Sequence, residues 1–186
     1  VPCGIYDDHL RMQGLLEDLA TIEKAMGQID ALQSEKAPDW NQLIRWVATK
    51  DEHAQAIQDE ISDYWLAQRI KTPTTQPGTV EHQEAFRAYV GQLLFSHQLI
   101  TGAMKCKQTS DGDELVGMRF ALESFQDLYF SEKDLEHLRG HAGTKKDMAG
   151  IEAKASEKLE GARIAVVRAQ ISLLGDAVID YMLNNG

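Results

Sequence analysis

The sequence predicts an all-α protein, an antiparallel four-helix bundle with a C-terminal helical extension. Three observations predict it. Apolar residues recur three and four apart in four successive stretches. The breaks between those stretches are short, as in a bundle of antiparallel neighbours. Nothing alternates at period two for long enough to form a sheet. Composition agrees, with only 4 prolines in 186 residues and an abundance of Ala, Leu, Glu, Gln and Lys.

Leu15, Leu19, Ile22, Met26 and Ile29 form one face of a first helix, about 8 to 33. Pro38-Asp39 opens a second, with an acid near its start. It carries Trp40, Leu43, Ile44 and Val47, then Ile57, Ile61, Tyr64 and Trp65, and runs to about Ile70. The stretch TPTTQPGT, 72 to 79, is a break. A third helix follows, marked by Phe86, Tyr89, Val90, Leu93, Leu94, His97, Ile100 and Met104. After the loop QTSDGD, 108 to 113, Leu115, Met118, Leu122, Phe125 and Tyr129 mark a fourth. These elements make an N-terminal unit, 1–130.

The extension is 131–186. Ser131 and Asp134 have the spacing of a helix-start box and lead a short helix, which Gly140 and Gly143 break. A long final helix is expected over about 145 to 183. Its second half carries Ile164, Val167, Ile171, Leu174, Val178 and Tyr181 at heptad-like spacing. Gly161 and Gly175 weaken it as a free-standing helix. The plainer reading lays this seam across its own bundle, and the sharper one docks it on another chain.

The net charge of −10 and the absence of any run of five basic residues argue against nucleic acid as a partner. No segment reaches the roughly 18 consecutive apolar residues of a membrane span. The nearest, Ile164 to Leu183, carries Arg168, Asp176 and Asp180. No signal peptide is visible, and a start without Met is expected of a chain processed or incomplete at this end. Two cysteines, Cys3 and Cys106, do not make a disulfide scaffold, and neither lies in a CxxC or HExxH pattern.

Cys3 lies between Pro2 and Gly4, a composition that fixes a tight turn with a sulfur in it. On residue type alone such a cysteine is a small buried hydrophobe or a free thiol. Cys106, flanked by Lys105 and Lys107, has neighbours that lower a thiol pKa, but a structural role suits it better. His137 and His141 share a helix face without a third ligand and read as a solvated pair. The paired Glu-x-x-His motifs of ferritin-like sites are not found. His53, taken alone, is a solvated histidine on a helix face.

The string Pro2-Cys3-Gly4-Ile5-Tyr6, followed by Asp7, closely resembles the end of the nickel-hook motif of nickel-dependent superoxide dismutases, His-Cys-x-x-Pro-Cys-Gly-x-Tyr. The resemblance continues through WVATKDEHAQAIQDEISDYWLAQRIKTP, 46 to 73. It extends to HQLITGAMKCKQT, 97 to 109, and LESFQDLYFSEKDLEHL, in the style of the longer cyanobacterial and algal branch. It covers about residues 1 to 138.

The resemblance implies a nickel ion and the disproportionation of superoxide to oxygen and hydrogen peroxide. Shuttling nickel between oxidation states needs strong-field anionic donors. By resemblance these are the terminal amine, a backbone amide and two thiolates in a plane, with the terminal imidazole axial. Cys3 corresponds to the second thiolate, Tyr6 to the tyrosine over the open face, and Pro2 and Gly4 to the turn. His53 falls where relatives carry an arginine bracing the hook histidine. The other brace, a glutamate, falls near Gly14, with Glu17 about one turn away. A homo-oligomer, a hexamer in the family, is also implied.

The sequence departs from the motif ahead of Val1, where the His-Cys-x lies outside it. A chain beginning at Val1 carries one of the two thiolates and cannot build the site. Either those residues precede Val1 in the intact protein, or the ligands are lost and the hook is vestigial. The alternative function is a non-catalytic structural subunit of a larger, photosynthetic assembly, docked through Ile164, Val167, Ile171, Leu174, Val178 and Tyr181. The sequence assigns no compartment; a cytoplasmic or a plastid, thylakoid-associated one is expected.

Overall fold

The computed structural model describes residues 7–141. The hook residues Pro2, Cys3, Gly4 and Tyr6 and the seam from Ile164 to Tyr181 lie outside the described residues, as do the side chains of His137 and His141. Asp7 caps the first helix, its Oδ1 accepting from the backbone N–H of Leu10 at 2.9 Å. That helix, α1, is Asp8–Gln33. Asp39 caps α2, Trp40–Asp59, by accepting from the N–H groups of Asn41 and Gln42. The helix then widens to π geometry over Glu60–Arg69 and ends where the Ile70 N–H reaches back five residues to the Trp65 carbonyl. Gly78, with φ of 85°, makes the turn that precedes the Thr79 cap of α3, Val80–Gln108. α4 is Asp113–Tyr129 and α5 is Glu132–His141. At the start of α5, Ser131 and Asp134 pair as the sequence box predicts.

The all-α bundle is as expected. Cross-helix pairs fix its antiparallel sense. Along α1, Arg11, Asp18 and Lys24 meet Glu60, His53 and Trp46 of the descending second helix. Lys105 meets Glu114 across α3 and α4, and Gln92 reaches the carbonyl of Leu128. Arg119 of α4 pairs with Glu23 of α1 and closes the ring. The core runs through Met12, Leu15, Leu19, Ile22, Ile57, Ile61, Trp65, Leu99, Met118, Leu122 and Phe125.

Two expectations need correction. The buried line of α3 is Gly91, Phe95, Ser96, Leu99, Gly102, Ala103 and Cys106, whereas His97 and Met104 are exposed. Reading the face from large apolar residues rotated it, because small residues hold the closest approach to α4. A side-chain carbon at Gly102 would sit 2.5 Å from Met118 Cγ, and one at Gly91 would collide with Leu128.

The second correction concerns α2. Trp40, Ile44 and Val47 are exposed, at 65%, 67% and 38%. Lys50, buried, donates to the carbonyl of Cys106 in the last turn of α3. Val47, Ile44 and Trp40 lie successively further back along α2, beyond the point where α3 ends. The apolar stripe simply outruns its partner.

Candidate functional site at the N-terminal end of the bundle

The sequence motif enters the bundle at Asp7 and Asp8, and a polar cluster is built there. The Asp8 carboxylate accepts from Tyr64 Oη, from Tyr129 Oη at 2.7 Å, and from Arg69 Nη2 at 2.6 Å and Nε at 3.2 Å. Arg69 Nε also lies 3.2 Å from Tyr129 Oη. These donors come from two elements. Tyr64 and Arg69 stand five apart on the π-helical stretch, whose i to i+5 pattern brings them to one side. Tyr129 is the last residue of α4.

Burial alone would push the Asp8 pKa up, but hydrogen bonds from Tyr64, Arg69 and Tyr129 outweigh it and hold the carboxyl below its usual range. Burial and the adjacent carboxylate raise both phenols, Tyr64 well beyond the ordinary range and Tyr129 to about 12. Both tyrosines are therefore fixed donors at neutral pH. Beneath them, Trp65 is fully buried. It packs edge-on against Tyr129 at 4.9 Å, Phe125 at 5.1 Å and Tyr64 at 5.3 Å between ring centroids.

A second polar patch lies further along α1. His53 Nδ1 is 2.7 Å from Asp18 Oδ1, and Arg11 Nη1 is 3.0 Å from Glu60 Oε2. Gly14 lies between Arg11 and Asp18, and a side-chain carbon there would meet nothing within 4 Å. The space beside the helix is open at this one position. Burial raises the Glu60 pKa despite Arg11, and Asp18 and Asp63 add to the rise. The partner of His53 is thus Asp18, while Glu17 is exposed. Asp18 is ten residues beyond Asp8, which sets His53 about 15 Å along the helix from the bundle entry.

Among the described residues no group of three or more His, Cys, Asp or Glu side chains could hold a metal ion. Cys106 is fully buried with its Sγ 3.6 Å from Met118 Sδ, and burial pushes its thiol up to about 11. It is not a ready thiolate. The other cysteine, Cys3, stands ahead of α1 in the sequence, outside the described residues.

The described residues form a short-looped helical bundle, and the Pro2-Cys3-Gly4 stretch precedes its first helix in the sequence. The family model of nickel-containing superoxide dismutases matches residues 1–133. The chain belongs to that family. No curated protein and no solved structure matches it.

No helix of the described residues is long and apolar enough to cross a membrane.

Proposed function

We propose that the protein disproportionates superoxide at a nickel ion held by its N-terminal segment. The observation that carries this reading is the family match over residues 1–133, which includes the Pro2-Cys3-Gly4-Ile5-Tyr6 string. Nickel, when bound, supplies the one-electron couple that superoxide chemistry requires. The chain's own residues do the rest. Cys3 is a thiolate ligand, with the other protein donors supplied by a His-Cys-x ahead of Val1. Pro2 and Gly4 set the turn that presents its sulfur. Tyr6 would lie near the metal and order the approaching anion through its hydroxyl. His53, oriented by Asp18, is the outer hydrogen-bonding partner of a ligand imidazole. The space beside Gly14, where a side-chain carbon would meet nothing within 4 Å, supports this reading. The test is the nickel dependence of superoxide decay by the native chain, with its N-terminus determined on the same sample.

The protein acts as a homo-oligomer, a hexamer by family resemblance. The exposed stripe of Trp40, Ile44 and Val47 supports self-association, since it continues a packed helix face into solvent. Ile44→Asp places a charge in that stripe without touching the core. Light scattering after size exclusion should show the wild type as an oligomer and the variant shifted toward the 20.8 kDa monomer. An unchanged mass in the variant would remove this face from the interface.

A further inference from the structure

We propose that Asp8 is a positioning residue for the nickel-binding segment. Its clamp fixes the direction in which the chain ahead of Asp7 leaves the bundle. The inference rests on the superoxide dismutase reading for its functional consequence, and on geometry for the clamp itself.

The first turn of a helix is its least constrained part, because its N–H groups have no partners within the helix. At α1 the Asp7 cap secures one of them, the Leu10 N–H. A cap holds the helix end to itself and does not aim it relative to the rest of the molecule. Asp8 does aim it. Its carboxylate is tied to the end of the second helix through Tyr64 and Arg69, and to the end of α4 through Tyr129. Two independent elements thus fix one side chain at the first residue of α1.

The bonds are of the strong kind. The acceptor is ionised, and Arg69 brings two N–H donors to one oxygen. The Asp8 side chain is only 16% exposed, so water competes poorly. Tyr6 lies two residues ahead of Asp8 and Cys3 five ahead. A pivot so near to them transmits any loosening directly. Misplacing a reacting group by about 1 Å can cost a hundredfold in rate. The core beneath, around Trp65, does not need Asp8 to pack, because the aromatic rings contact one another directly. This separates positioning from stability.

The test uses the full native chain loaded with Ni²⁺. Asp8→Asn keeps the size and loses the charge, and Tyr129→Phe removes one donor only. Glu23→Gln is the control, since it breaks the Arg119 pair between the same two helices away from the entry. Three readouts are taken. One is hydrogen exchange of the amides at 3 to 10. The second is the nickel–thiolate absorption spectrum. The third is superoxide decay per bound nickel.

In Asp8→Asn, exchange at these amides should rise roughly tenfold or more. The absorption bands should shift, and decay per nickel should fall about tenfold to a hundredfold. Tyr129→Phe should move in the same direction by less, and Glu23→Gln should match the wild type. Unchanged exchange and spectrum in Asp8→Asn would overturn the proposal, and so would an equal change in Glu23→Gln. Should Asp8→Asn fail to fold, Tyr129→Phe decides the same question by the same readouts. A wild type that takes up no nickel would end the dismutase reading instead, and amide exchange would still decide the clamp.

Discussion

Trp65→Ala is expected to lose about 3–5 kcal/mol of folding stability. Trp65 is fully buried at the end of the bundle. Four aromatic rings surround it: Tyr64, Phe125, Tyr129 and Phe130. Truncation removes the largest buried side chain among the described residues and leaves a cavity that these rigid rings cannot collapse to fill. Edge-to-face contacts are lost as well, each worth about 0.5–1.5 kcal/mol beyond area burial. Trp65→Phe should cost much less. It keeps an aromatic ring in place, and the indole N–H it removes has no hydrogen-bond partner among the described residues. Urea denaturation followed by far-ultraviolet circular dichroism measures both. A Trp65→Ala loss below about 1 kcal/mol would mean that this cluster is not the core of the bundle end.

Cys3→Ser is expected to abolish stoichiometric nickel binding and, with it, catalysed superoxide decay. A serine hydroxyl stays protonated at neutral pH and cannot supply the soft anionic donor that nickel redox chemistry requires. The informative contrast is Cys106→Ser. Cys106 is fully buried beside Met118, and burial raises its thiol to about 11. Placing a hydroxyl there should cost about 1–3 kcal/mol through an unsatisfied polar group. It should leave nickel content and superoxide decay per chain unchanged. The pair of variants thus separates the two thiols, one by metal content and the other by stability. Nickel bound at full occupancy in Cys3→Ser would refute the assignment of Cys3.

Much of the fold is legible because the signals are local. The three-and-four spacing from Leu15 to Ile29 and from Leu115 to Phe125 lies on buried faces. Asp39 and the Ser131–Asp134 box cap as their positions imply. The misses come from non-local causes. The α3 face turned on Gly91 and Gly102, whose role is to lack a side chain, and a hydropathy pattern gives such residues little weight. The stripe from Trp40 to Val47 looked like core because its spacing is right; only the end point of α3 shows that nothing described covers it.

The site was legible to the same extent. The hook string is contiguous and therefore visible. The Asp8 clamp joins residues 8, 64, 69 and 129, which no spacing rule connects. One clue existed, in that Tyr64 and Tyr129 both stand near helix ends with hydroxyls that burial must satisfy. The pairing of His53 with Asp18 rather than Glu17 follows from the phase of α1. Asp18 sits at the α2 contact and Glu17 in solvent, a difference of one residue and about 100°.

A working nickel hook on this bundle has a decisive assay: the intact mass and terminal sequence of the native protein, with nickel content and nickel-dependent superoxide decay on the same sample. The expected result is a mature His-Cys-x ahead of Val1, about one nickel per chain, and decay that disappears when nickel is removed and returns when it is restored. A native chain with other residues ahead of Pro2-Cys3-Gly4, no bound nickel and no catalysed decay would contradict it.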